Sequence, residues 1–144
     1  MATREDVELR QRAERALRAG RAREALILYT ALLSKVEIYD ARRYDAWLEG
    51  ALAAYEALGR SREAGYVLFG LRRFAEAQRH FPAAERPLEW ALAASRLGRH
   101  AEAARVLTEA GQSVLAAVEL EAVGAHGAAR LEWERVVRDP RLGG

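Results

Sequence analysis

The residues best suited to acid–base or metal chemistry in this chain are three histidines and 21 carboxylates; there is no cysteine. A thiolate nucleophile, a disulfide framework and a thiolate metal site are therefore excluded. His80, His100 and His126 show neither HxxxH nor HExxH spacing, the patterns that bring two imidazoles to one face of a helix. His100 and His126 instead hold the same place in two related segments, which points to a structural role. Carboxylates alternate with arginines at helical spacing. Glu5, Asp6 and Glu8 run with Arg10 and Arg12, and Glu132 and Glu134 run with Arg130, Arg135 and Arg138. Such interleaving describes solvated helix faces carrying i,i+4 pairs. General acid–base catalysis needs two carboxylates in contrasted environments, and no pair stands out. No G-x-S-x-G, P-loop or dinucleotide fingerprint occurs. Gly65 and Gly70 flank an apolar stretch with no phosphate-cradling pattern. The expectation is a chain with no catalytic activity of its own, no cofactor and no metal.

Arginine offers a second kind of chemistry. Arg10, Arg12, Arg15, Arg18, Arg21 and Arg23 crowd one end, and Arg60, Arg62, Arg72, Arg73 and Arg79 crowd the middle. A nucleic-acid binder gathers such charge on one face with aromatic stacking partners. Here Glu8, Glu14 and Glu24 intervene, and the net charge is only +2 despite a pI of 9.3. Nucleic acid is thus the weaker alternative as a partner. Lys35 is the sole lysine. The bias to arginine and alanine is what a GC-rich genome imposes.

Aromatic residues form a third set. Tyr44, Tyr55, Phe74, Phe81, Trp90 and Trp133 mostly fall on apolar faces and read as core. Tyr39 and Trp47 flank Arg42 and Arg43. Exposed aromatics beside arginines are typical of interface hot spots, while a half-buried loop anchor is the plainer alternative.

These residues must be carried by helices. Hydrophobic residues make up 51% of the 144, much of it alanine, and prolines occur only at 82, 87 and 140. That mixture favours helix and a globular chain over disorder. The length suits one domain, 1–144, with a weak internal break at 80–87. Three segments share one form: Gly20-Arg21-Ala22-Arg23-Glu24-Ala25, Gly59-Arg60-Ser61-Arg62-Glu63-Ala64 and Gly98-Arg99-His100-Ala101-Glu102-Ala103. They lie 39 residues apart, and weaker relatives at Arg72 and Gly124 lie 26 residues either side of Gly98. Both spacings are multiples of 13, about one short helix plus its turn. In each segment the glycine ends a helix in a left-handed conformation. The glutamate then meets the positive end of the next helix, and the alanine faces a partner helix at close approach.

Periodicity places nine helices at about 4–19, 22–36, 41–58, 61–71, 74–80, 87–97, 100–110, 112–123 and 126–138. The longest apolar run, Ala25 to Leu33, is broken by Thr30 and falls short of the ~20 residues a membrane span needs. The stretch Met1 to Asp6 carries acids early and lacks the apolar core of a signal peptide. With no cysteine, a cytoplasmic setting is expected.

The unit Gly-x-x-x-Glu-Ala, with a large residue four positions after the alanine, resembles the tetratricopeptide repeat. Ala25 is followed so by Tyr29, Ala64 by Leu68, Ala103 by Leu107 and Ala129 by Trp133. Small residues of the preceding helix match at Ala13, Ala91 and Ala117, with Leu52 at the same place and the family tyrosine at Tyr55. The spacing departs from the family's 34. The resemblance implies an all-α fold, an α-solenoid of about nine short antiparallel helices, acting as a protein–protein interaction scaffold. The span from Gly65-Tyr66-Val67-Leu68 through Val106-Leu107 also looks like helical segments of accessory proteins in multi-gene bacterial systems built around an AAA+ ATPase. A subunit of such a system is a further alternative.

A stack of hairpins would line a groove with the first helix of each pair. The resemblance then places Arg10, Glu14, Glu49, Glu56, Ser95, Arg96 and Glu121 in the groove. Together with Tyr39, Arg42, Arg43 and Trp47 they are the candidate partner-binding residues. The groove set is mixed in sign and lacks the Lys/Asn clamp for a C-terminal carboxylate, so a folded protein is the expected partner. Self-association stays open.

Overall fold

Alanine-rich segments of 6 to 17 residues separated by turns of a few residues can only bury their small faces against each other. A computed structural model shows how they do so. It describes residues 3–35, 41–139 and 141; the side chains of residues 41–43 lie outside the described set. Among the described residues the chain is all-helical: α1 (Arg4–Arg18), α2 (Ala22–Leu33), α3 (Ala41–Ala57), α4 (Ser61–Gly70), α5 (Phe74–Arg79), α6 (Pro87–Arg96), α7 (His100–Glu109), α8 (Ser113–Ala122) and α9 (His126–Arg138). The helices stop within a residue or two of the expected positions. The exception is α2, which ends at Leu33; Ser34 turns the chain by donating its hydroxyl to the Ala31 carbonyl at 2.7 Å.

One turn recurs. At the end of α6 the Gly98 N–H donates to the Ser95 carbonyl (2.9 Å), and the Arg99 N–H reaches back to the Ala94 carbonyl (2.8 Å). These are the two bonds of a Schellman motif, and they need a left-handed residue, which Gly98 supplies at φ 80°. Arg99 is at once the last residue of that motif and the N-cap of α7, where its carbonyl accepts from the Ala103 N–H at 3.1 Å. The same pair of bonds closes the helices before Gly20, Gly59, Arg72, Gly111 and Gly124. From position 59 to 124 these left-handed residues follow a 13-residue step, missing only position 85. There α5 is short and Pro82 redirects the chain. Gly111, which the sequence reading passed over, completes the series.

At Arg21, Arg60, Arg99, Gln112 and Ala125 the N-cap side chain makes no capping bond to the backbone N–H groups of its helix. Two arginines act otherwise. Arg21 Nε donates to Glu24 Oε2 at 2.7 Å, and Arg60 Nη2 to Glu63 Oε1 at 3.1 Å. Both acids stand in the first turn of their helix. A backbone hydrogen bond, then Arg60 and Arg62, holds the Glu63 carboxyl below its ordinary range. The conventional cap is at α1, where Thr3 Oγ1 accepts from the Asp6 N–H (3.0 Å) and Asp6 accepts from the Thr3 N–H (3.3 Å).

Arg72 is the irregular member of the series. It adopts φ 59° without being glycine. A left-handed L-residue costs roughly 1–2 kcal/mol, and the Arg72 side chain is exposed. Arg72→Gly should therefore stabilise the chain by about 1 kcal/mol after the extra freedom of the unfolded glycine is counted. The check is a higher urea midpoint at unchanged slope; an unchanged or lower midpoint contradicts it.

The chain divides into two compact units, 1–73 and 74–144. In the first unit α1 packs on α2, α2 on α3 and α3 on α4, and α1 also meets α3. Its core joins Ala13 and Ala16 of α1, Ala25, Leu28, Tyr29 and Leu32 of α2, and Trp47, Ala51 and Ala54 of α3. The ring of Tyr29 fills the space where any side chain at position 50 would stand. In the second unit α5 packs on α6, α6 on α7, α7 on α8 and α8 on α9. Its core is nearly all alanine: Ala91, Ala94, Ala103 and Ala116 around Leu107, with Trp90 against them. The alanine four residues after the N-caps Arg21, Arg60, Arg99, Gln112 and Ala125 is buried, at Ala25, Ala64, Ala103, Ala116 and Ala129. A methyl group there permits close backbone approach.

Candidate interaction surface

The turns fix which face of each helix is left for solvent, and the expected partner-binding residues distribute over that remainder. On α1, Arg10 Nε and Glu14 Oε1 pair at 3.4 Å, close to the buried Tyr29. Burial first, and Glu14 second, push the Tyr29 phenol above its ordinary value, against the pull of Arg10 and Arg18. On α3, Glu49 receives Arg73 Nη1 on both oxygens, at 2.8 and 3.0 Å, and Glu56 is exposed. In the second unit Arg96 is exposed, Ser95 is half-buried, and Glu121 Oε1 accepts from Trp133 Nε1 at 3.0 Å. Arg10 and Glu14 are directly joined, while Glu49 and Glu121 turn to Arg73 and Trp133.

Trp47 corrects the expectation of a surface aromatic. It is 2% exposed and sits in the core of the first unit, one turn into the buried face that also carries Ala51 and Ala54. Its indole cannot serve as a surface contact in this conformation. Tyr44, expected in the core, is the exposed one, at 39%. Tyr39 and the side chains of Arg42 and Arg43 lie outside the described residues.

One cluster has the residue types of a hydrolytic triad. Ser95 Oγ lies 3.5 Å from His100 Nδ1, and Glu119 Oε2 lies 2.6 Å from the same nitrogen. A triad needs the hydroxyl on one ring nitrogen and the carboxylate on the other, so that a proton can pass across the imidazole. Here both address Nδ1, and the serine contact is at the limit of a hydrogen bond. The cluster ties α6 and α8 to the first residue of α7, a tethering role. His126 begins α9 in the same way and is exposed. Among the described residues no three His, Cys, Asp or Glu side chains converge as metal ligands.

Several of the described arginines pair locally with carboxylates. Arg4 pairs with Glu8, Arg21 with Glu24, Arg60 with Glu63, Arg135 with Glu132 and Arg141 with Asp139. Arg60 and Arg62 also stand over the rings of Tyr55 and Tyr66, at 5.6 and 5.8 Å from their centroids, covering faces that a base would need. No described helix is long and apolar enough to cross a membrane.

The sequence matches no family model, no curated protein and no solved structure.

The surface that sequence reasoning missed is apolar. On α6, Leu88 (41% exposed) and Leu92 (49%) stand one turn apart, and Arg96 extends the row by another turn. On α8, Leu115 (47%) and Val118 (51%) share the outward side with Ala122. Both helices pack against α7. The signal was available in α8, which is apolar nearly all round; such a helix must either be enclosed or leave apolar side chains in water.

Proposed function

We propose that the chain is a protein-interaction module, a tetratricopeptide-like solenoid of helical hairpins that binds another protein and performs no chemistry itself. The exposed row Leu88, Leu92, Arg96 on α6 carries this reading, and Leu115 and Val118 leave a second apolar strip exposed on α8. Exposed apolar residues at helical spacing, edged by polar ones, characterise surfaces that are covered in a complex. Arg96 was already a groove position by resemblance to the tetratricopeptide repeat, so the two lines of argument meet on one helix. Local pairing of the arginines supports a protein partner over nucleic acid.

The test is recovery of a stoichiometric protein from native lysate, followed by the double substitution Leu92→Glu and Leu115→Glu. Both side chains are about half in solvent, so the melting temperature should hold within a few degrees. Partner affinity should fall at least about tenfold. Undiminished binding by the variant would remove these strips from consideration. Nuclease-sensitive material with a steep salt dependence would favour nucleic acid instead.

A further inference from the structure

A groove of about 510 Å³ runs between α7 and α9. Its walls are Ala104 and Thr108 from α7, Leu120 and Val123 from the end of α8, and Leu131 and Glu132 from α9. Glu132 is anomalous there. Its side chain is 6% exposed, yet two donors among the described residues converge on one oxygen: Thr108 Oγ1 at 3.2 Å and Arg135 Nη1 at 2.8 Å reach Oε1. The other oxygen, Oε2, is covered and has no hydrogen-bond partner among the described residues. A buried carboxylate accepts from several directions, and one left half-satisfied is costly enough that native proteins seldom keep it without a reason.

We propose that this groove binds a small molecule bearing a primary ammonium on an apolar stem, with the ammonium donating to Glu132 Oε2. The charged side chains lining the groove, Arg105 and Arg135 against Glu109 and Glu132, balance, so selection falls to the unsatisfied oxygen. An ammonium is compact and offers three donors, which suits a covered acceptor better than the broad guanidinium fork. Leu120, Val123 and Leu131 supply the surface on which a methylene stem lies. Because Oε2 is covered, binding requires a side chain at the groove to move; among the lining residues Leu131 (59% exposed) and Arg135 (61%) are largely in solvent. The volume is that of an ordinary small-ligand site.

The test is titration of the full chain with n-hexylammonium chloride, read by amide chemical shifts. Saturable shifts are expected at Ala104, Thr108, Leu120 and Leu131. n-Hexanol, with the same stem and no charge, should bind at least about tenfold more weakly. Glu132→Gln should abolish that preference. Glu132 also holds Thr108 and Arg135, so a second variant leaves it intact. Ala128→Trp fills the groove from an exposed position and should abolish binding while the rest of the spectrum is kept. Absence of saturable shifts with n-hexylammonium overturns the proposal. So does equal affinity for n-hexanol, or unaltered binding by Ala128→Trp.

Discussion

Gly50→Ala should destabilise the chain by at least about 2 kcal/mol, although alanine is the better helix former. Position 50 lies inside α3, where alanine alone would gain up to about 1 kcal/mol. That gain is overridden because the new methyl would stand inside the ring of Tyr29, overlapping Cζ and both Cε atoms. Tyr29 is 4% exposed and enclosed by α1, α2 and α3, so the ring has no empty space to enter. Overpacking of a rigid aromatic forces backbone movement. Gly127→Ala is the control: nothing lies within 4 Å of the added atom, and this change should be neutral or stabilising by up to about 1 kcal/mol. Denaturant unfolding reads both. The double variant with Tyr29→Leu should recover part of the loss, a coupling of at least about 1 kcal/mol. Strict additivity would show that the ring is not the obstacle.

Ala103→Leu should cost about 1–3 kcal/mol by a related cause in the second unit. Ala103 is fully buried among Ala91, Ala94, Leu107 and Ala116, an interface in which four of five residues are alanine. Three extra carbons find no gap between backbones that approach this closely. Ala101→Leu, two residues earlier and exposed, should change stability by no more than about 0.5 kcal/mol. The thermal midpoint separates them. Equal midpoints would mean that α7 presents another face to its neighbours.

Much of the fold was legible because it rests on local rules. The glycine that stops a helix and the Glu-Ala pair that starts the next are written in sequence, and the structure puts Gly20, Gly59 and Gly98 at left-handed φ and Ala25, Ala64 and Ala103 in the core. Arg72 was legible only as a weak relative, since its side chain gives no hint of a left-handed backbone. The surface was far less readable. Trp47 beside two arginines looks like an exposed hot spot, yet three-dimensional enclosure by α1 and α2 buries it. Leu88, Leu92, Leu115 and Val118 have the composition of core residues, and periodicity does not distinguish an enclosed leucine from one left in water. The half-satisfied Glu132 was invisible for the opposite reason: in sequence it is one carboxylate among many along an arginine-rich helix.

The shared residue in each turn has a consequence for how such a chain can change. Because Arg99 both finishes one helix and begins the next, the link has no spare residue to absorb an insertion. One added residue either breaks the bond back to Ala94 or turns α7 by about 100°. The second outcome would swing Ala103 away from its neighbours and bring a bulkier side chain to face them. The turns thus impose a reading frame on the architecture: single-residue insertions are frameshifts, and length is safely gained or lost in whole helix-and-turn steps.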